Sequence, residues 1–176
     1  WADPIGYSEK PENALKAPNL ELKEYLTALF KSGDIVNFVV SSFEKDGKFL
    51  PNGKGVNKSF DDLIKACDTY DDLGFILGDW NKKAGAWARI NPMSGEGCKN
   101  SDVVEFRHCL IESDTLPKEE QLRKIRELNL PCSAIVDSGG KSIHAIVKID
   151  AGNDEKLYRE RVSKLHEFLA KNGFPV

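Results

Sequence analysis

What this chain has little of narrows it first. Its four cysteines, Cys67, Cys98, Cys109 and Cys132, stand far apart with no Cys-x-x-Cys pair, and there are only three histidines. Structural zinc draws its ligands from closely spaced Cys and His, and the same spread argues against a disulfide framework, so the cysteines read as reduced, mostly buried thiols. No apolar run is long enough to span a bilayer, and no signal peptide opens the chain, which begins at Trp1 rather than Met. The expectation is a cytoplasmic protein with no membrane partner. Internal repeats and low-complexity tracts are missing too. So is net positive charge: 25 Lys and Arg against 28 Asp and Glu leave −3, with a pI near 5.7. A polyanion would feel no global attraction, only a local basic track.

What is present is enough apolar material, 40% of 176 residues, for one compact domain or two small lobes. Residues 1–100 read as a mixed α/β lobe. An extended arm rich in Pro and Asn covers residues 1–19, a helix residues 20–31, and a strand residues 35–43, which turns at Asp46-Gly47. Ser59-Phe60-Asp61-Asp62 caps a helix to Cys67, residues 73–77 read as an apolar strand, and residues 87–91 as another, leading into Pro92 and a glycine-containing loop.

Residues 101–176 carry the two most informative motifs. Phe106-Arg107-His108-Cys109-Leu110-Ile111-Glu112-Ser113-Asp114 is an apolar strand closing on two acids. Side chains alternate along a strand, so Glu112 and Asp114 share a face. Paired carboxylates repel unless a cation sits between them, and Mg²⁺ and Mn²⁺ favour oxygen ligands. The second motif, Ser138-Gly139-Gly140-Lys141-Ser142-Ile143-His144, is a Gly-Gly turn opening a strand with Ser142 and His144 on one face. Taken singly, such acids are commonly a solvated strand end, and such a turn a plain hairpin. The Gly140-Lys141-Ser142 run is no P-loop, because Ile135 stands where the first glycine belongs and a strand follows.

Arrangement joins the two motifs. A helix begins at Pro117 and carries Leu122, Ile125 and Leu128; a strand over residues 132–136 turns into one over 142–150; a second helix, capped by Asn153 or Asp154, runs to Gly173; and Phe174-Pro175-Val176 starts a further strand. Strand, helix, strand, strand, helix, strand is the split β-α-β unit of ferredoxin-like and RNA-recognition-motif architectures, whose first and third strands are antiparallel neighbours. Glu112 and Asp114 should then meet Ser142 and His144 on the sheet face that helices leave open, with Lys148 and Asp150 also outward.

Glu-Ser-Asp on one strand and Ser-x-His opening a later one after Ser-Gly-Gly-Lys resemble the catalytic signature of the archaeo-eukaryotic primase superfamily. The stretch Gly85 to Ala151 is most similar to primase-polymerase domains of phage, plasmid and prophage replication proteins. The resemblance implies an α+β, two-lobed fold with a C-terminal RNA-recognition-motif-like βαββαβ unit. It implies a DNA primase or primer-extending polymerase in DNA replication, using two Mg²⁺ or Mn²⁺ ions, single-stranded DNA template or primer, nucleoside triphosphates and a helicase domain or partner. Carried onto this sequence, Glu112 and Asp114 are the catalytic metal ligands, and Ser138, Gly139, Gly140, Lys141, Ser142 and His144 bind nucleotide, with Arg89 and Asn91 helping to hold the triphosphate. It also implies a third metal-binding aspartate just past Val176, so residues 1–176 should fold yet hold metal poorly. Asp150 is no substitute, since six residues beyond His144 at roughly 3.3 Å each put it about 20 Å away; Asp137 reads as a turn residue. Lys45, Lys48, Lys54, Lys58, Lys82 and Lys83 are the candidate template contacts. The rival reading is a non-catalytic module of RNA-recognition-like fold binding single strands or nucleotides. It would want stacking aromatics where this face has acids.

Overall fold

The structure, a computed structural model, describes residues 16–79, 81 and 83–176. Most of the expected N-terminal arm, residues 1–15, lies outside the described residues, as does Lys82. The fold is α+β, with five α-helices and three small antiparallel sheets among the described residues. None of these helices is long and apolar enough to cross a membrane.

Helix α1 (Pro18–Leu29) starts with proline in its first turn, where a missing N–H is harmless, so residues 18 and 19 belong to the helix and not to the arm. The expected strand over 35–43 is broken near residues 40 and 41 into β1 (Ile35–Val39) and β2 (Ser42–Lys45). β2 pairs with β3 (Lys48–Pro51) around Asp46 and Gly47, both at positive φ (52° and 72°), the geometry of a tight two-residue hairpin turn. β4 (Val56–Ser59) returns to β1, and Ser59 caps α2 (Phe60–Thr69) by accepting the Asp62 N–H.

Residues 73–77 correct the sequence reading: they form a short helix, α3 (Leu73–Leu77), instead of a strand. Asp72 caps it through the Gly74 N–H at 2.6 Å, and Gly78, at φ 104°, ends it. A five-residue apolar run carries no period that separates helix from strand, so the flanking cap and glycine decide. The strand expected over 87–91 is also shorter. β5 (Trp87–Ala88) pairs with β1, and beyond it the chain keeps to β1 by separate bonds, Arg89 N–H to the Asn37 carbonyl and Met93 N–H to the Ile35 carbonyl.

In the second half, β6 (His108–Ile111), α4 (Lys118–Glu127), β7 (Cys132–Asp137), β8 (Ile143–Lys148) and α5 (Glu155–Lys171) take the expected order. β8 lies between β6 and β7, antiparallel to both. Residues 174–176 form no strand; Phe174 is fully buried against the helices, and its N–H closes the end of α5 on the Leu169 carbonyl.

One face of this sheet, through Cys109, Ile111, Ile143, Ala145 and Val147, packs under α4 and α5. The opposite face is only partly open, a second correction. Ile146, 2% exposed, belongs with Ala134 to the other core, built on Leu26 and Leu29 of α1, Val36 and Phe38 of β1, and Leu63 and Ile76. Ile146, the hydrophobic residue at an even position of β8, cannot face water at no cost, so the N-terminal elements cover it. The acids and His144 lie at the end of the sheet where β6 finishes and β8 starts, while Leu110 and Lys148 are exposed elsewhere on the same face.

Candidate functional site

That end is assembled by pairing. The β6–β8 register sets Ile111 opposite Ala145, and one step further places Glu112 opposite His144. Their side chains meet there, His144 Nε2 lying 3.1 Å from Glu112 Oε2 with both groups partly exposed. Ser113, 1% exposed, turns inward, while Asp114 is exposed and makes no hydrogen bond or ion pair among the described residues. Glu112 and Asp114 are thus more exposed than the Ser113 between them, and all three lie past the last paired residue of β6.

The Gly-Gly turn is closed by its own side chains. Asp137 Oδ1 accepts the Gly139 N–H at 2.8 Å and pairs with Lys118; that ion pair, then the Gly139 bond, holds the carboxyl below its ordinary range. Ser138 Oγ donates to the Ser142 carbonyl at 2.8 Å and lies 3.3 Å from the N–H groups of Gly140 and Ser142. Three of the turn's backbone donors are therefore already engaged, two of them by one hydroxyl at long range. Ser142 departs from its expected place on the open face. It is 7% exposed and sits in the turn just ahead of β8, tied by its backbone to Ser138. Lys141 is exposed and in no ion pair among the described residues.

A residue that sequence reading passed over holds these segments together. Gln121 on α4 is fully buried. Its Nε2 lies 2.6 Å from the Leu116 carbonyl and 3.0 Å from that of Ser113, with the Lys141 carbonyl at 3.4 Å; its Oε1 accepts the Ile143 N–H at 2.9 Å. One amide thereby ties the loop bearing Glu112 and Asp114 to the start of β8. The available signal was a glutamine four residues before Ile125, in the apolar stripe of α4.

Arg89 and Asn91 are not brought to this patch. The Asn91 amide, 7% exposed, is spent on the start of β6: Oδ1 accepts the N–H groups of Arg107 and His108, each at 2.8 Å, and Nδ2 donates to the His108 carbonyl at 2.9 Å. Arg89 donates to the Cys98 carbonyl at 2.6 Å and lines two surface cavities, neither of which includes Glu112, Asp114 or His144. No three Asp, Glu, His or Cys side chains among the described residues converge as a ready metal site. Compared with known proteins, the chain matches no family model, no curated protein and no solved structure.

Proposed function

We propose that this chain is the catalytic part of a template-directed nucleotidyltransferase of the primase-polymerase kind. The observation that carries the reading is the meeting of Glu112 and His144 across β6 and β8, with exposed Asp114 beside them and Lys141 in the adjoining turn. A carboxylate and an imidazole drawn from separate elements meet where neither core needs them, and a second carboxylate and an ammonium stand exposed in the adjoining loop and turn.

In this reaction the oxygen of a 3′-hydroxyl attacks the α-phosphorus of a nucleoside triphosphate, the bond to pyrophosphate breaks, and the hydroxyl proton leaves. Glu112 and Asp114 suit a hard divalent ion. Two protein carboxylates are an ordinary complement for Mg²⁺ when substrate phosphates and water fill the remaining positions. A bound ion of this kind supplies Lewis-acid stabilisation of the phosphoryl oxygens. The protein's own contribution is placement: Gln121 fixes the loop of the acids against β8, while His144 and Lys141 offer N–H donors to the triphosphate. Single-stranded template and a helicase that exposes it are the partners this chemistry asks for.

The test is nucleotide incorporation on a single-stranded template, run beside Mn²⁺ binding in the presence of nucleotide by electron paramagnetic resonance. Glu112→Gln and Asp114→Asn, which keep shape and remove charge, should abolish both with melting unchanged. Full incorporation by both variants overturns the reading. Nucleotide or single-strand binding with no incorporation under any metal, in residues 1–176 and in a chain continued past Val176 alike, replaces it with a non-catalytic binding module.

A further inference from the structure

The β2–β3 hairpin forms a sheet of its own, apart from the two larger sheets. Its register pairs Phe43 with Leu50 and Lys45 with Lys48. Residues two apart share a face, so one face of the ribbon carries these four side chains and the other carries Ser42, Glu44, Phe49 and Pro51. The first face is unpartnered, with Phe43 46% and Leu50 38% exposed and both lysines exposed. Lys45 and Lys48 stand directly opposite one another with no ion pair among the described residues. Like charges at facing positions destabilise a ribbon, and an anion lying across them removes that cost. Glu44 points the other way and Asp46 sits in the turn.

The base of the hairpin continues this chemistry. Pro51, at the base of the ribbon and on its other face, borders a cleft of about 350 Å³ whose lining includes Lys54, Trp87 and Arg89 and not one carboxylate, in a chain whose net charge is −3, so a strand leaving the first face at the hairpin's edge meets cations again. Arg89 gives one N–H to the Cys98 carbonyl and keeps its other donors. Cations interleaved with accessible aromatic rings suit a strand that has both phosphates and unpaired bases, because stacking requires bases free of a duplex.

We propose that the exposed face of the β2–β3 hairpin and the cleft at its base form a track for single-stranded nucleic acid, with Phe43 and Trp87 stacking bases and Lys45, Lys48, Lys54 and Arg89 holding phosphates. This deepens the transferase reading by naming the surface that holds the template, and it rests on that reading for the strand's use. It also explains how an acidic chain grips a polyanion: the basic residues are local.

Fluorescence anisotropy with a labelled mixed-sequence oligonucleotide tests the track without turnover. In the full chain, Lys45→Ala/Lys48→Ala should weaken binding about tenfold at low salt and reduce the slope of log affinity against log salt by about 1.4, at ~0.7 per lost phosphate contact. Phe43→Ala should weaken binding about fivefold or more and leave the slope alone. Absence of single-strand binding by the unaltered chain overturns the track, as does an unchanged affinity and slope in the double-lysine variant. Equal binding of duplex, or displacement by polyglutamate as efficient as by unlabelled oligonucleotide, also overturns it in favour of a nonspecific cationic surface. The transferase reading fails separately, on the incorporation assay with Glu112→Gln and Asp114→Asn.

Discussion

The two ends of β6, a strand only four residues long, are held by the same device and differ in what is left over. At the start, the Asn91 amide satisfies the backbone of Arg107 and His108; at the finish, the Gln121 amide ties the carbonyls of Ser113 and Leu116 to the N–H of Ile143. Charge separates them. Arg107 is part-buried between the buried Asp34 (2.5 and 2.9 Å) and Glu105 (2.5 Å), an arrangement that pushes its pKa further up and lowers that of Glu105. Glu112 and His144 are half exposed and meet chiefly each other. Polar residues whose every group finds an internal partner act as joints, and this joint fastens the start of β1 to the start of β6. Polar residues positioned as firmly but left open to water are available for chemistry.

The comparison breaks most easily at Arg107. Arg107→Met should destabilise the protein by about 3–5 kcal/mol, because it strands the Asp34 carboxylate in a buried setting with its main partner gone. Glu112→Gln should change stability by less than about 0.5 kcal/mol, as expected of a surface substitution. Urea unfolding of the two variants measures both, and similar losses would remove the distinction between joint and site.

The amides sharpen it. Asn91→Leu and Gln121→Leu should each cost about 2–3 kcal/mol, since each leaves buried backbone groups without partners. Their effects on nucleotide incorporation should diverge at temperatures where both variants remain folded. Loss of Gln121 frees the loop of Glu112 and Asp114 from β8 and lowers kcat, whereas loss of Asn91 acts at the far end of the strand and spares it. Equal kcat for the two variants would leave Gln121 a joint like Asn91.

Much of this was legible in the sequence for a physical reason: period. The stripes of α1, α4 and α5, the alternation of β8 and the Asp46-Gly47 turn are local patterns, and the element order they spell, read as a split β-α-β unit, sets Glu112 against His144. Contacts made by tertiary packing were not legible. Nothing near Ile146 in the chain says that α1 will cover it, and nothing near Asn91 says that its amide will serve a strand sixteen residues away rather than a nucleotide. The short run Leu73–Leu77 failed differently, because five apolar residues fit either period until Asp72 and Gly78 are weighed. Gln121 was the one long-range partner with a visible trace, a polar residue inside an apolar stripe.

The smallest effect expected is a pH dependence seated at the start of β6. His108 is 3% exposed, with Nδ1 3.2 Å from the Ile90 carbonyl and Nε2 3.0 Å from Ser133 Oγ. A carbonyl can only accept, so the proton sits on Nδ1 and the serine hydroxyl donates to Nε2. Burial, with the nearby Arg107 charge adding to it, lowers the His108 pKa from its ordinary 6.5. The sign follows from which state takes up the proton. As pH falls through about 6.5 the unfolded chain binds a proton that the native imidazole refuses, so stability declines. The decline ends once pH drops below the lowered native value, where both states are protonated. Its slope cannot exceed about 1.4 kcal/mol per pH unit for one group. Urea unfolding between pH 7.5 and pH 5 should show this decline in the unaltered protein, and His108→Gln, which binds no proton in the window, should remove it. A slope that survives the substitution would place the titrating group elsewhere and leave His108 a neutral joint without linkage.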